Sequence, residues 1–375
     1  PLILIGNGVK LSKTTQLIKN FIKKNNLPYA CTWGITDLFD SNDMLNAGSF
    51  GVAASRYGNF TLQQSDLLLC LGMRLSAQIV GGDPKKFSPN SKKILVDIDN
   101  NEFKSHRLPK INLKINANIK DYINALNKKK LNLDKKGISN WIKKIKYLKK
   151  NFPILSKKNY VSEHYVDPYY FFHRLSNFIK ANSILIPDAS ANLIWTYQAF
   201  KVLKKLNIFT AFNHSPMGYS LAASVGAYLG SKKKLVTAII GDGSVPMNVQ
   251  ELETIKHHNV NVKIFVINNK GYTLIKQTQE TWLGSRYAGV DKSSGLSLPD
   301  NCKIAESYGI KSITIVNNKD VNSKLKTIYK KKGPLLIDVR VNPKSRVAPK
   351  IDFGKPLHDM SPRLPSTIIE NMMKN

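Results

Sequence analysis

The chain has 375 residues, of which 42% are hydrophobic and 22% charged, and a net charge of +32. This length suits two domains that each bury a core, and the composition excludes a disordered or fibrous protein. No apolar run approaches the roughly 18 residues that span a bilayer, so we expect no membrane partner. The excess charge comes mainly from scattered lysines, as at 128–130 and 330–332. We therefore expect a solvated surface and no specific nucleic-acid partner.

Three cysteines, Cys31, Cys70 and Cys302, lie far apart and lack the spacing of a metal site. Cys31 and Cys70 fall in apolar segments, which indicates buried free thiols and a reducing, cytoplasmic location. The first residues have the pattern of a core strand and not that of a signal peptide, so we expect further sequence upstream of Pro1.

Residues 1–125 alternate short apolar runs with helical patterns, which predicts a doubly wound, parallel α/β domain. Gly6-Asn7-Gly8 follows the first predicted strand, and Asp97 and Asp99 end a later one. Such residues favour a Rossmann-like nucleotide crevice, although a tight strand-to-helix turn explains the glycines equally well. Strands are predicted at 2–5, 28–33, 66–71, 94–98 and 111–115, and a helix at 12–23.

Residues 126–164 are interpreted as a basic helix, at 138–150, followed by an interdomain linker. Residues 165–375 predict a second parallel α/β domain with a C-terminal tail. Its predicted helices lie at 168–180, 218–227 and 249–257, and its strands at 183–186, 207–211, 235–240, 262–267 and 335–341.

The most informative pattern is Gly-Asp-Gly-Ser at 241–244, followed after 23 residues by Asn-Asn-Lys-Gly at 268–271. Asp242 and Asn269 each lie just past the end of a predicted strand. If these strands are neighbours, both side chains reach one crevice at the edge of the sheet. A carboxylate, an amide oxygen and the carbonyl of Gly271 are hard oxygen donors that suit Mg²⁺. This pattern therefore predicts a magnesium site.

Gly243 and Ser244 let the backbone approach a diphosphate at the start of the next helix, whose amide groups favour an anion. Together with the metal residues they match the thiamine-diphosphate motif. The chain resembles the large subunit of acetolactate synthase over nearly its whole length. The resemblance rests also on Gly72-Met73-Arg74, Asp97-Ile98-Asp99 and the segment at 247–254.

This resemblance implies that the chain holds the central and C-terminal domains of a thiamine-diphosphate enzyme that is a homodimer or homotetramer. Thiamine diphosphate and Mg²⁺ are the implied cofactors, and a 2-oxo acid is the implied substrate. Met217 would hold the cofactor bent, and Asn192 stands where the family usually has His. The implied cofactor-binding residues are Ser190, Ala191, Asn192, Ser215, Pro216, Met217, Asp242, Gly243, Ser244, Asn269, Gly271 and Leu274, with Asp242, Asn269 and Gly271 on the metal.

Three features depart from the family pattern. The activating Glu belongs to a pyrimidine-binding domain upstream, so the catalytic residue is unknown here and we expect the chain to be inactive alone. The family has Gln followed by Trp where this chain has Gln277 and Thr278, preceded by Lys276. A polar, cationic pocket would suit a sugar-type carbonyl or another 2-oxo acid, whereas a solvent-facing lysine would imply no such pocket. The segment after Arg74 lacks the family's acidic pair, which makes bound FAD doubtful.

The expected function is thus decarboxylation and carboligation of a 2-oxo acid, similar to that of acetolactate synthase. The first alternative is a related enzyme for another 2-oxo acid or a sugar-type carbonyl. The second is a non-catalytic nucleotide- or nucleic-acid-binding module that uses its two α/β domains and its charge.

Overall fold

The computed structural model describes residues 1–373, which form two compact units. Unit 1 comprises Pro1–Ile154 together with the C-terminal segment from Ala348 onward, and unit 2 comprises Leu155–Val347. Each unit contains a six-stranded sheet whose strands pair in parallel, which confirms the predicted α/β fold class. Within residues 1–373, every helix is too short or too polar to cross a membrane.

The strands of unit 1 are β1 (Leu2–Ile5), β2 (Tyr29–Cys31), β3 (Asn46–Ser49), β4 (Leu67–Leu71), β5 (Lys92–Asp97) and β6 (Leu113–Asn116). Their order in the sheet is β3-β2-β1-β4-β5-β6. The order reverses between β1 and β4, so the chain leaves these neighbouring strands in opposite directions and opens a crevice at their carboxyl ends.

Alternation along β1 divides the core of unit 1 between the two faces of its sheet. Leu2 and Leu4 belong to one buried cluster, and Ile3 and Ile5 belong to another. The α-helices are α1 (Gly8–Leu11), α2 (Thr15–Asn25), α3 (Arg56–Gln64), α4 (Ala77–Val80), α5 (Ile119–Asn127) and α6 (Lys135–Asn151), with 3₁₀ helices at Trp33–Leu38, Pro84–Lys86 and Asn100–Lys104.

The strands of unit 2 are β7 (Ile184–Pro187), β8 (Asn207–Ile208), β9 (Val236–Gly241), β10 (Val262–Asn268), β11 (Ser312–Ile315) and β12 (Leu335–Arg340). They are ordered β11-β12-β10-β9-β7-β8. The central strands β9 and β10 are buried almost throughout, as expected for parallel strands covered on both faces. The order reverses between β7 and β9, which opens a crevice there.

Helices cover both faces of this second sheet. The α-helices are α7 (Lys157–Tyr160), α8 (Pro168–Phe178), α9 (Ser190–Ala199), α10 (Tyr219–Gly230), α11 (Glu251–His257), α12 (Thr273–Trp282), α13 (Asn301–Ser307) and α14 (Asn318–Ile328), with 3₁₀ helices at Val245–Asn248 and Lys292–Ser294.

The C-terminal segment returns to unit 1. It contains β13 (Lys350–Ile351) and β14 (Met360–Ser361), which pair antiparallel, and α15 (Ser366–Met373). Ile351, Leu357 and Met360 are buried in the same cluster as Leu2 and Leu4. The N–H of Ile351 also donates to the carbonyl of Val52 at 2.8 Å. These contacts make the segment part of the core of unit 1.

The observed units have bounds that differ from those of the predicted domains. Helix α6 lies within unit 1 because Ile138, Ile145 and Leu148 are buried there, although we interpreted this helix as leading into a linker. The helix predicted at 12–23 begins three residues later, at Thr15, because Lys13 adopts a positive φ of 55° between α1 and α2. The strand predicted at 207–211 ends at Ile208, since it is an edge strand.

Two strands of the six-stranded sheets were not predicted, in addition to the short pair β13 and β14. β3 has the sequence Asn-Ala-Gly-Ser, and β11 has Ser-Ile-Thr-Ile, so neither carries a long apolar run. Both lie at the edges of their sheets, where a strand pairs with only one neighbour. Cys31 and Cys70 are buried free thiols, as expected, and burial raises the pKa of each.

Candidate functional site

The candidate site lies in unit 2, where three neighbouring strands end at one edge of the sheet. β7, β9 and β10 are adjacent, with Pro187 opposite Ile239 and Ile267 opposite Gly241. Their carboxyl ends lead directly into Asp188, Asp242 and Asn269, respectively. The predicted condition for a shared crevice, that the strands before Asp242 and Asn269 are neighbours, is therefore met.

Asp242 joins two of these loops through its carboxylate, which is 3% exposed. Its Oδ1 accepts from the N–H of Gly243 at 2.8 Å. Its Oδ2 accepts from the N–H groups of Lys270 and Gly271 at 2.7 and 3.2 Å. The structure thus brings together the two halves of the motif, which are far apart in sequence, and Oδ1, which accepts only the N–H of Gly243, keeps a lone pair for another ligand.

Burial dominates the electrostatics of Asp242. It raises the pKa of the carboxyl to about 7, although the surrounding backbone N–H groups favour the ionised form. A buried carboxylate without a cation nearby is costly in this way. A dication beside Asp242 would stabilise its ionised form, so the electrostatics favour a bound metal.

Asn269 presents a buried oxygen that has no hydrogen-bond partner within residues 1–373. Its side chain is 8% exposed, and its Nδ2 donates to the hydroxyl of Thr273, which directs Oδ1 elsewhere. Asn192 is also buried and likewise leaves its Oδ1 unpaired. Since buried polar atoms are normally paired, these oxygens are available to a bound metal ion, phosphate group or water.

The ligand atoms available around Asp242 indicate which metal ion the site would fit. The described part of the chain has no cluster of three or more His, Cys, Asp and Glu side chains suited to a metal. A metal at Asp242 would therefore combine one carboxylate with amide, carbonyl, phosphate or water oxygens. This combination suits Mg²⁺, which prefers oxygen ligands and retains waters, and does not suit zinc.

Glycines are required where these loops approach their neighbours. A Cβ on Gly243 would overlap the ring of Tyr272, and one on Gly271 would overlap the carbonyl oxygen of Val290. Gly271 also has a φ of 156°, a conformation that is strained for other residues. The glycines thus allow the loops after β9 and β10 to pack closely around Asp242.

Strained backbone marks the same region. Ser190, Ser215 and Lys270 have positive φ values of 65°, 43° and 62°. Such conformations are uncommon for residues with a side chain and cluster at binding sites. Ser190 begins α9, which contacts the loop that carries Ser215 through Tyr197 and Phe212, and Lys270 donates its N–H to Asp242.

The other predicted site residues lie in three segments. Ala191 and Asn192 are in the first turn of α9, and Asn192 Nδ2 lies near Gly241 and Ser244. Pro216 is exposed and Met217 is half-buried, in the loop that precedes α10. Leu274 is half-buried in the first turn of α12, the helix that follows the loop of Asn269. Direct contacts thus link the loops after β7, β9 and β10, whereas Leu274 shares only their edge of the sheet.

Asp188 is a site residue that sequence reasoning missed. It is 1% exposed, and its carboxylate accepts from the hydroxyl of Ser244 and from the N–H groups of Gly218 and Ser220. Burial raises its pKa. The signal that could have found it is an aspartate just past a strand, the same signal that identified Asp242.

The residues that suggested a cationic substrate pocket have other partners. Lys276 forms an ion pair with Asp291 and lies 4.8 Å from the ring centre of Tyr287. Gln277 is buried and bonds in both directions with the backbone of Val347, at 2.9 and 3.1 Å. Thr278 is exposed. Because the charge of Lys276 is compensated, it does not supply a free cation for a substrate.

The predicted nucleotide crevice of unit 1 is closely packed at its glycines. A Cβ on Gly6 would overlap the carbonyl oxygen of Gly72, and one on Gly8 would lie 2.8 Å from the Cα of Gly72. The following helix, α1, has only four residues. These glycines therefore allow the tight contact between the loops after β1 and β4. This agrees with the interpretation of the glycines as a tight strand-to-helix turn.

Two family models match the chain. The central domain of thiamine pyrophosphate enzymes matches residues 1–126, and the C-terminal TPP binding domain of the same enzymes matches residues 188–339. The second match begins at Asp188 and includes Asp242 and Asn269. The chain therefore belongs to the thiamine pyrophosphate enzyme family.

Within this family, the chain is similar to several proteins named acetolactate synthase. The acetolactate synthase large subunit of Cyanidium caldarium is 30% identical over 361 residues, which are 95% of this chain and 60% of that protein. The probable acetolactate synthase large subunit of Methanococcus aeolicus is 30% identical over 363 residues, 93% of this chain and 59% of that protein. Acetolactate synthase 2, chloroplastic, of Nicotiana tabacum is 28% identical over 370 residues, 96% of this chain and 54% of that protein. The chain thus spans about 60% or less of these relatives.

Proposed function

We propose that the chain is part of a thiamine-diphosphate- and Mg²⁺-dependent enzyme that decarboxylates a 2-oxo acid and joins the remaining fragment to a second carbonyl compound. The observation that carries this proposal is that Asp242 bonds to the loop that follows Asn269, together with the unpaired side-chain oxygens of Asn192 and Asn269. The similarity to proteins named acetolactate synthase supports the reaction type.

Each part of the site has a proposed role. Asp242, the Oδ1 of Asn269 and the carbonyl of Gly271 would hold Mg²⁺. Ser190, Ala191, Asn192, Gly243 and Ser244 would hold the diphosphate, where the N-terminus of the ten-residue helix α9 favours an anion. Ser215, Pro216, Met217 and Leu274 would line the ring system.

Once bound, thiamine diphosphate supplies the nucleophilic carbon and the electron sink that this chemistry requires. The residues of this chain would orient that cofactor, and the Mg²⁺ held by Asp242 would offset the negative charge of its diphosphate. The carboxylate of Asp242 must be ionised to hold the metal, and Asn269 and the glycine loops keep the diphosphate end in a fixed position.

Cofactor binding by the wild-type chain and by Asp242→Ala tests the proposal. Isothermal titration with thiamine diphosphate, with and without Mg²⁺, should give Mg²⁺-dependent binding for the wild type. Loss of a ligand should weaken that binding at least about 100-fold. Asp97→Ala is the matched control, because Asp97 ends β5 of unit 1 and should leave the affinity unchanged. Equal affinities of wild type and Asp242→Ala would contradict the proposal, and polyanion binding that persists in the variant would identify a separate charge effect.

A second candidate function is a related reaction on another 2-oxo acid or a sugar-type carbonyl. Thr278, a small residue where the family pattern has Trp, favours it, whereas the ion-paired Lys276 does not. Product analysis of the full-length enzyme with pyruvate alone separates the two candidates. Acetolactate supports the first, and its absence from a cofactor-loaded enzyme supports the second.

We further propose that residues 1–375 alone do not catalyse carboligation, because the activating Glu of the family belongs to another domain. Carboligation by the purified chain would contradict this. We also propose that no FAD is needed, that the enzyme is a homodimer or homotetramer, and that it is cytoplasmic. Flavin absorbance, size-exclusion chromatography with light scattering, and cell fractionation test these three statements.

A further inference from the structure

Asp188 anchors the loop between β8 and α10 at both of its ends. At the start of the loop, the hydroxyl of Thr210 donates to the carbonyl oxygen of Asp188 at 3.2 Å. At its end, the N–H groups of Gly218 and Ser220 donate to Oδ2 and Oδ1 of Asp188 at 3.1 and 3.0 Å. One buried residue therefore bonds to both ends of this loop, which comprises residues 209–218.

The same carboxylate reaches the loop that follows β9, where it accepts from the hydroxyl of Ser244. Asp188 itself is fixed in the sheet, because its N–H donates to the carbonyl of Ile239 at 2.8 Å. The structure describes no salt-bridge partner for it within residues 1–373. Burying this carboxylate is costly, and the N–H and hydroxyl groups that donate to it offset part of that cost.

On the basis of the proposed function, the two loops joined by Asp188 hold opposite ends of one cofactor molecule. The first carries Ser215, Pro216 and Met217 for the rings, and the second carries Gly243 and Ser244 for the diphosphate. We propose that Asp188 is a positioning residue that sets the distance between these two loops, so that one thiamine diphosphate molecule satisfies both.

A role limited to helix capping is the alternative. Gly218 is the N-cap of α10 and offers no side chain, so Asp188 supplies the carboxylate that a capping residue would normally provide. Asp167 offers a matched comparison, since it caps α8 by accepting from the N–H of Tyr170 at 2.9 Å but makes no link to the cofactor loops. Loss of capping alone predicts the same behaviour for both residues.

The experiment compares Asp188→Asn with Asp167→Asn in the 1–375 chain. In Asp188→Asn, one acceptor oxygen becomes an NH₂ group that faces an N–H donor, so the two loops lose a common anchor. Two ligands are titrated in the presence of Mg²⁺: thiamine diphosphate, which touches both loops, and inorganic pyrophosphate, which needs only the diphosphate loop. Hydrogen–deuterium exchange over residues 211–222 measures the anchoring without any ligand.

We expect Asp188→Asn to bind thiamine diphosphate about tenfold more weakly or worse, and pyrophosphate less than about threefold more weakly. Exchange over 211–222 should rise in this variant only, and Asp167→Asn should match the wild type with both ligands. Equal weakening of both ligands, or no weakening of either, would overturn the proposal. If the wild type binds neither ligand, the proposed function fails, and the exchange result still decides whether Asp188 anchors the loop.

Discussion

The two six-stranded sheets differ most at the edge where their strands end. In unit 1, the loops after β1 and β4 fill this edge, because Gly6 and Gly8 pack against the backbone of Gly72. In unit 2, the corresponding edge carries the buried carboxylates Asp188 and Asp242 together with unpaired amide oxygens. The carboxyl ends of the strands are thus closely packed by backbone in unit 1, whereas in unit 2 they carry polar atoms that can bind a ligand.

At the opposite edge the two sheets are alike. Lys93 near the start of β5 and Lys263 near the start of β10 are both buried, at 2% and 0% exposure. Their ammonium groups donate to neutral oxygens: Lys93 to the carbonyls of Ser88 and Ser91, and Lys263 to that of Gly333. The two sheets therefore differ in the polar groups at the carboxyl ends of their strands, which is where this fold usually binds ligands.

The largest expected effect concerns the packed unit. Leu357→Ala removes a side chain that is 1% exposed in the core of unit 1, so we expect a loss of about 4 kcal/mol in the free energy of unfolding. Leu11→Ala, at a leucine that is 76% exposed, should cost under about 0.5 kcal/mol. Urea unfolding of both variants tests this. A small loss in Leu357→Ala would mean that the C-terminal segment is not part of that core.

Alanine substitutions of glycines at the carboxyl edges of the two sheets should differ in their effects on stability and on cofactor affinity. Gly6→Ala forces a methyl group into the backbone of Gly72, so we expect a loss of about 3 kcal/mol in stability and unchanged cofactor affinity. Gly243→Ala meets the ring of Tyr272, which can move, so stability should change less and cofactor affinity more. Urea unfolding and cofactor titration of both variants measure the contrast, and equal stability losses would erase it.

The buried lysines predict a pH dependence that the two units share. Burial lowers the pKa of Lys263 from 10.5 to about 8, so between these pH values the unfolded chain binds the proton that the folded chain has released. The free energy of unfolding therefore increases as pH rises through that window, because the folded chain no longer buries a charged Lys263. Between pH 8 and 10, wild type should gain about 2 kcal/mol relative to Lys263→Met.

Urea unfolding at pH 7.5, 9 and 10 measures this difference. Lys93→Met should show a smaller effect of the same sign, because burial also lowers the pKa of Lys93. A constant difference between Lys263→Met and wild type across this range would show that Lys263 stays protonated in the folded chain.

The smallest expected effect concerns surface ion pairs. Lys276→Met breaks a pair whose side chains are about 20% exposed, so we expect a cost of about 0.5 kcal/mol at pH 7. The hydrogen bond from Lys276 holds the pKa of Asp291 well below its usual range, so this cost should begin to fall below about pH 4 and be smaller at pH 2.5 than at pH 7. Arg74→Met in unit 1 should cost less, since Arg74 is 68% exposed. Thermal melts at pH 7 and pH 2.5 test both variants.

Buried strands and the motif at their ends could be predicted from the sequence. β1 coincides with its predicted bounds because Leu-Ile-Leu-Ile is apolar on both faces. Asp242 and Asn269 could be paired because each follows such a strand, and parallel strands end at one edge. The edge strand β3 has no comparable signal, because its residues are small and polar.

The roles of Lys276 and Asp188 could not be predicted in the same way. Lys276 is compensated by Asp291, fifteen residues later, and a sequence pattern does not encode such a pair. Asp188 bonds to residues thirty or more positions away, which depends on how the loops pack. Tertiary contacts thus determined the electrostatics of the site, while local patterns determined its location.

The return of the C-terminal segment to unit 1 affects the order of events during synthesis. Unit 2 lies between the two parts of unit 1 in sequence, so Ile351, Leu357 and Met360 leave the ribosome after all of unit 2 has been made. At about 5 to 20 residues per second, the nascent N-terminal part waits on the order of 10 s or more for these side chains. During that interval unit 2 can fold from contiguous sequence, whereas unit 1 still exposes the apolar surface that a chaperone would bind.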